Sequence, residues 1–126
     1  MAAKVVRAAY AVVPIPRGEE PKARQFYGQA LGLREVMKPP TLAARGGVWF
    51  ETPDGFQVRC STEEDLAKRT PGTGAVVAFE IADVEGFRQD VTRRQLMVQD
   101  LPPIPGQRRF LALDPFGNRL EFLQKG

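Results

Sequence analysis

Apolar and polar positions alternate and cluster along this chain with two distinct periods. Val5 to Val13, "VVRAAYAVV", has strand character, and Pro14 and Pro16 are expected to end it. In "EEPKARQFYGQALG" the apolar positions Ala23, Phe26, Tyr27, Ala30 and Leu31 recur at helical spacing. Glu19 and Glu20 suit the positive end of the helix dipole, Pro21 suits the first turn, and Gly32 supplies a stop. A short strand, "LREVMK", precedes Pro39 and Pro40. "GGVWFETPDGFQVRCS" predicts a hairpin, Val48 to Glu51 and Phe56 to Ser61, joined by a Pro-Asp-Gly turn. "STEEDLAKR" predicts a short helical connector, with Ser61 and Glu64 at capping-box spacing, and "TPGTG" is a loop.

The pattern then starts again. "AVVAFEI" has the length of a strand, and Asp83 is a good N-cap for "VEGFRQDVTRR", where Val84, Phe87 and Val91 share a face. "QLMVQD" is a short strand, "LPPIPGQ" a loop, and "RRFLAL" with "NRLEFLQ" a hairpin. Both halves thus have the order strand, helix, strand, strand, strand. "PDGFQVRC" from Pro53 and "PFGNRLEF" from Pro115 match at an offset of 62 residues and place Arg59 and Glu121 at the same point. Shared turn chemistry would explain two similar hairpins; helices at matching distances before them favour a duplication. The expectation is an α+β domain of two βαβββ modules: about residues 4–61, a connector about 62–74, and about 75–124.

Side chains alternate along a strand. Leu120 and Phe122 therefore share one face of the last strand, and Arg119, Glu121 and Leu123 the other. Val58 and Cys60 oppose Gln57, Arg59 and Ser61 in the same way. The apolar faces should meet the helices. The mixed faces should line a cleft between the modules, with Arg59 and Glu121 entering it from equivalent positions.

Composition narrows the chemistry. The chain of 126 residues suits one domain with a real core. The net charge of +3 comes without a basic run, so nucleic acid is not an expected partner. No apolar run approaches a membrane span, and with one cysteine and no leader-like start the expected location is cytoplasmic. Histidine is absent, which removes the commonest general base and transition-metal ligand. A closed zinc site is excluded, while an all-carboxylate site for a hard cation stays open.

The segments "ARQFYGQALGLREV" (23–36), "RGGVWFE" (45–51) and "RRFLALDPFGNRLEFLQ" (108–124) resemble the glyoxalase, bleomycin-resistance and ring-cleaving dioxygenase superfamily, the vicinal oxygen chelate fold. The resemblance implies paired βαβββ modules around a cleft, and a homodimer. It also implies metal ligands at four places, which fall here on Tyr10, Arg59, near Val76, and Glu121. One of these is a metal-compatible carboxylate and one is a fixed cation, so no metal and no other cofactor is expected.

Three readings of Arg59 and Glu121 stay open. The guanidinium stands in for the ion and pairs with Glu121, with the Tyr10 hydroxyl as a third member. Alternatively Glu121 is a catalytic base and Arg59 stabilises an oxyanion, although an arginine neighbour weakens a carboxylate base. In the third, Glu121 is inherited and serves no chemistry. Trp49 is either a stacking platform or, more in keeping with large aromatics, core. Leu111 would supply apolar wall, and Arg109 would extend outward at the rim. Cys60 has helix-side parity and is a small buried hydrophobe, and "RGG" at 45–47 is a turn.

The favoured expectation is reversible binding of a small organic molecule by Tyr10, Trp49, Arg59, Leu111 and Glu121. The alternatives are a related lyase, isomerase or dioxygenase with an atypical site that uses Glu121, and a structural or regulatory module without catalysis.

Overall fold

Two four-stranded sheets organise the chain, each built from one half of the sequence. The computed structural model describes residues 3–62 and 74–126. It divides into two units, Met1–Ala67 and Lys68–Gly126. The first sheet contains β1 (Tyr10–Ile15), β2 (Arg34–Val36), β3 (Val48–Glu51) and β4 (Gln57–Thr62) in the order β1-β4-β3-β2. The second contains β5 (Val76–Glu80), β6 (Val98–Asp100), β7 (Gln107–Leu113) and β8 (Arg119–Lys125) in the order β5-β8-β7-β6. In each sheet the first strand runs parallel to the last, and the other neighbours are antiparallel.

The registers establish the repeat more firmly than the turn motif could. β3 and β4 pair Val48 with Cys60, Trp49 with Arg59, Phe50 with Val58 and Glu51 with Gln57. β7 and β8 pair Phe110 with Phe122, Leu111 with Glu121, Ala112 with Leu120 and Leu113 with Arg119. All eight positions of the first hairpin map onto the second at the same 62-residue offset. This is the duplicated βαβββ α+β fold expected from the pattern.

In the first unit, α1 (Glu20–Ala23) carries Pro21 in its first turn and continues as a π-wound stretch, Arg24–Ala30. There the Leu31 N–H reaches the Phe26 carbonyl at 2.9 Å, one residue further back than in an α-helix. The helix stops before Gly32, which has φ of 72°. Ala23, Phe26 and Tyr27 are buried, and Tyr27 packs on Phe50 with ring centroids 5.9 Å apart. Val13, Val58 and Cys60 complete this face, as the reading of Cys60 required.

In the second unit, α2 (Val84–Arg93) starts at Asp83, whose Oδ1 accepts from the Gly86 N–H at 3.0 Å. Val84 and Val91 are buried, and Phe87 meets Phe122 edge-on at 4.7 Å. Among the described residues no helix is long and apolar enough to cross a membrane.

Two expectations need correction. The first strand begins at Tyr10 rather than Val5 and runs through Pro14 to Ile15. β1 is an edge strand, where the missing proline N–H is tolerated. Ser61 lies within β4, so it does not cap a helix. The rest of the expected connector lies outside the described residues.

Candidate functional site

Strand parity decides which side chains leave the core in the first sheet. Val48, Phe50, Val58 and Cys60 are buried, so Trp49, Glu51, Gln57 and Arg59 must project from the opposite face. Tyr10 and Val12 emerge on that same face from β1, since Val12 is directly paired with Arg59. Core packing for Trp49 is therefore corrected: Phe50 takes the core position, and its neighbour is turned away.

Arg59 is the centre of this face. β1 and β3 flank β4 on opposite sides, so Tyr10 and Trp49 approach its guanidinium from opposite sides. The guanidinium carbon lies 3.7 Å from the centroid of the Tyr10 ring and 3.9 Å from that of Trp49. Both distances are well inside the range where a cation is attracted to an aromatic face. Arg59 Nε donates to Gln57 Oε1 at 2.9 Å, and Gln57 Nε2 donates to Glu51 Oε2 at 3.1 Å. Glu51 Oε1 in turn accepts from Arg34 Nη2 at 3.2 Å. Every link joins side chains of one sheet face, and the chain of bonds fixes the rotation of the guanidinium.

The turn before β4 is also built from side chains. Thr52 Oγ1 accepts from the Phe56 N–H at 3.1 Å and donates to Asp54 Oδ1. These donors hold the exposed Asp54 carboxyl below the usual carboxylate range, the Thr52 hydroxyl contributing most.

In the second sheet the mixed face carries Arg109, Leu111, Arg119, Glu121 and Leu123. Leu111 sits directly across from Glu121 and is half-buried, as expected of apolar wall. Arg109 does not extend outward at the rim. Its Nη1 donates to Glu121 Oε1 at 3.2 Å and its Nη2 to the Pro102 carbonyl at 2.7 Å. Its Nε is buried without a hydrogen-bond partner among the described residues, so the two Nη bonds carry its orientation. Val76 pairs with Arg119, and Ala78 is the β5 residue opposite Glu121. The β5 carboxylate on this face, Glu80, lies 3.9 Å from Lys125 Nζ. A guanidinium on one oxygen of Glu121 is a poor setting for a divalent ion. Among the described residues no three His, Cys, Asp or Glu side chains are grouped to hold a metal.

Thus the structure brings Tyr10, Trp49 and Arg59 together on one sheet, and Leu111 and Glu121 together on the other. Among the described residues Arg59 meets Gln57 and two rings of the first sheet, and Glu121 meets Arg109 of the second. The Tyr10 contribution is its ring face. Sequence reasoning missed Gln57, Glu51, Arg34 and Arg109 as partners. Parity put Gln57 on the Arg59 face, but only the strand order shows that Glu51 and Arg34 continue the line.

A family model described as the Glyoxalase/Bleomycin resistance protein/Dioxygenase superfamily matches residues 8–122. The chain belongs to this superfamily. A crystal structure of a glyoxalase family protein from Bacillus anthracis is similar over 100% of both chains, with 32% identity and a TM-score of 0.85. A glyoxalase/dioxygenase from Nostoc punctiforme shares 20% identity over 100% of this chain and 99% of its own, with a TM-score of 0.76. TnmS3, an antibiotic binding protein from Streptomyces sp. CB03234, shares 17% identity over 98% of this chain and 100% of its own, with a TM-score of 0.67. The last two support the fold alone. No curated protein matches the chain.

Proposed function

We propose that this superfamily member binds a small organic molecule reversibly on the mixed face of its first sheet. The observation that carries the reading is the Arg59 guanidinium held between Tyr10 and Trp49. Such a stack combines flat apolar surface with one oriented charge, the mixture that small-molecule sites use. Tyr10 and Val12 are 48% and 56% exposed, so the apolar surface is open to a ligand. The similarity in fold to an antibiotic binding protein is in keeping with this reading.

Glu121 serves the fold in this proposal and is not a base, since Arg109 occupies its Oε1. A general base must be within reach of the substrate proton and free to take it. No metal takes part. A homodimer belongs to the same proposal and is tested by sedimentation velocity.

Trp49 is the sole tryptophan of the chain, so intrinsic fluorescence reports directly on this face. Titration with neutral and charged bicyclic aromatics should change its emission saturably and raise the melting temperature. Trp49→Leu should abolish the thermal shift, and added Zn, Ni, Fe or Mn salts should leave the protein's melting temperature unchanged. A stoichiometric metal retained through Glu121, or silence of both readouts across the aromatic series, overturns the proposal.

A further inference from the structure

We infer that the molecule bound on this face carries a carboxylate, received end-on by the two Nη groups of Arg59. The inference rests on the proposed function above and narrows it to a ligand class. A guanidinium can be approached on two faces and along its N–H edges. Here Tyr10 and Trp49 cover the two faces, and Gln57 Oε1 takes the Nε edge. What is left is the outer edge, formed by the two Nη nitrogens. Two parallel N–H bonds match the two oxygens of a carboxylate.

Charge on the same face favours an anion. Glu51 is the carboxylate closest in the line of bonds, yet Arg34 holds its Oε1 and Gln57 its Oε2. Among the described residues Arg59 forms no ion pair, so its charge is balanced by π faces and an amide alone. A carboxylate supplied from outside would complete the pairing. The ligand body would rest on Tyr10, Val12 and Trp49, so an aromatic or other flat apolar acid fits best. The arrangement disfavours a cation, which would have to approach aromatic rings already occupied by a guanidinium.

The test uses four matched probes: 1-naphthoate, 1-naphthamide, 1-naphthyl phosphate and 1-naphthylmethylammonium. Affinities are measured by isothermal titration calorimetry, with thermal shift in parallel. The acid should bind about tenfold or more tighter than the amide, because a charge-assisted bidentate contact is lost in the amide. Arg59→Gln should bring the two affinities together by weakening the acid far more than the amide. Arg59→Lys should keep part of the preference, as it preserves charge without the fork. Arg59 lies on the face opposite the buried core residues Val58 and Cys60, so these variants should stay folded, which unchanged far-ultraviolet circular dichroism checks. Equal binding of acid and amide, an acid preference that survives Arg59→Gln, or tighter binding of the phosphate or ammonium probe overturns the inference while the binding function stands. Failure of all four probes to bind overturns both.

Discussion

Arg109 Nη1 stands 3.2 Å from Glu121 Oε1 across the β7–β8 ladder, and the same side chain reaches the Pro102 carbonyl at 2.7 Å. One guanidinium therefore joins the terminal strand to the loop that follows β6. The two side chains are only 16% and 17% exposed, so solvent weakens the pair less than it would a surface pair. Its worth is still moderate, because desolvation offsets part of the attraction.

Removing the second partner should therefore cost less once the first is gone. Glu121→Gln is expected to lower unfolding stability by about 1–2 kcal/mol, since it leaves a half-buried cation without its counter-charge. The double variant Arg109→Leu/Glu121→Gln should lose less than the sum of the single changes Arg109→Leu and Glu121→Gln, with a coupling of about 1 kcal/mol. Urea denaturation measures all four corners of this cycle. Strict additivity would show that the pair does not contribute to the fold.

Gly47 should not accept a side chain. Its φ is 107°, and a Cβ there would lie 2.2 Å from the Cys60 carbonyl oxygen. The obstacle is backbone of the neighbouring strand, which cannot swing aside. Gly47→Ala should destabilise the protein by about 2 kcal/mol or more, through strain and a displaced strand end. Thermal unfolding of Gly47→Ala beside Gly18→Ala separates the two causes, because Gly18 has positive φ but nothing within 4 Å. Equal losses would show that the close approach is unimportant.

The turn motif of the second module is a hydrogen-bond device. Asp114 is 2% exposed, and its Oδ1 accepts from the Phe116 and Asn118 N–H groups at 2.8 and 2.9 Å. Its Oδ2 accepts from Asn118 Nδ2 at 2.9 Å. Asp114→Ala strands these donors and should cost about 2–3 kcal/mol. Thr52 occupies the same place in the first hairpin, 62 residues earlier, and bonds in a more exposed turn. Thr52→Ala should cost about 1 kcal/mol or less. Chemical denaturation that ranks Thr52→Ala above Asp114→Ala would contradict this assignment.

The first turn also predicts a pH effect with a definite sign. The folded Asp54 carboxyl titrates below its unfolded value, so its hydrogen bonds favour the folded state above the unfolded value of 3.8. That contribution fades as pH falls through the lower, folded value. Thr52→Ala removes the largest cause and should move the Asp54 titration upward in a carboxyl-detected NMR experiment. An unmoved midpoint would mean that the hydroxyl is not the source.

Much of the architecture was written in local pattern. Helical spacing located the faces of both helices, Asp83 announced the start of α2, and period-two alternation separated Val58 and Cys60 from Arg59. These signals are legible because they depend on neighbours within one turn or one strand. The beginning of β1 was not legible, since it depends on where β4 begins to pair, at Gln57 opposite Tyr10. The continuation through Pro14 was hidden for the same reason: only the sheet order reveals that β1 is an edge.

The sequence by itself determined the repeat, the two buried faces and the set of side chains excluded from them. Tertiary structure alone decided which excluded side chains meet. Trp49 reaches Arg59 because β3 lies beside β4, and Tyr10 reaches it because β1 closes the other side. Glu121 turns to Arg109 because β7 and β8 are adjacent in that register. Alternation fixes the side of a sheet within one strand, whereas lateral contact depends on strand order and register, which the chain settles only when distant segments pair.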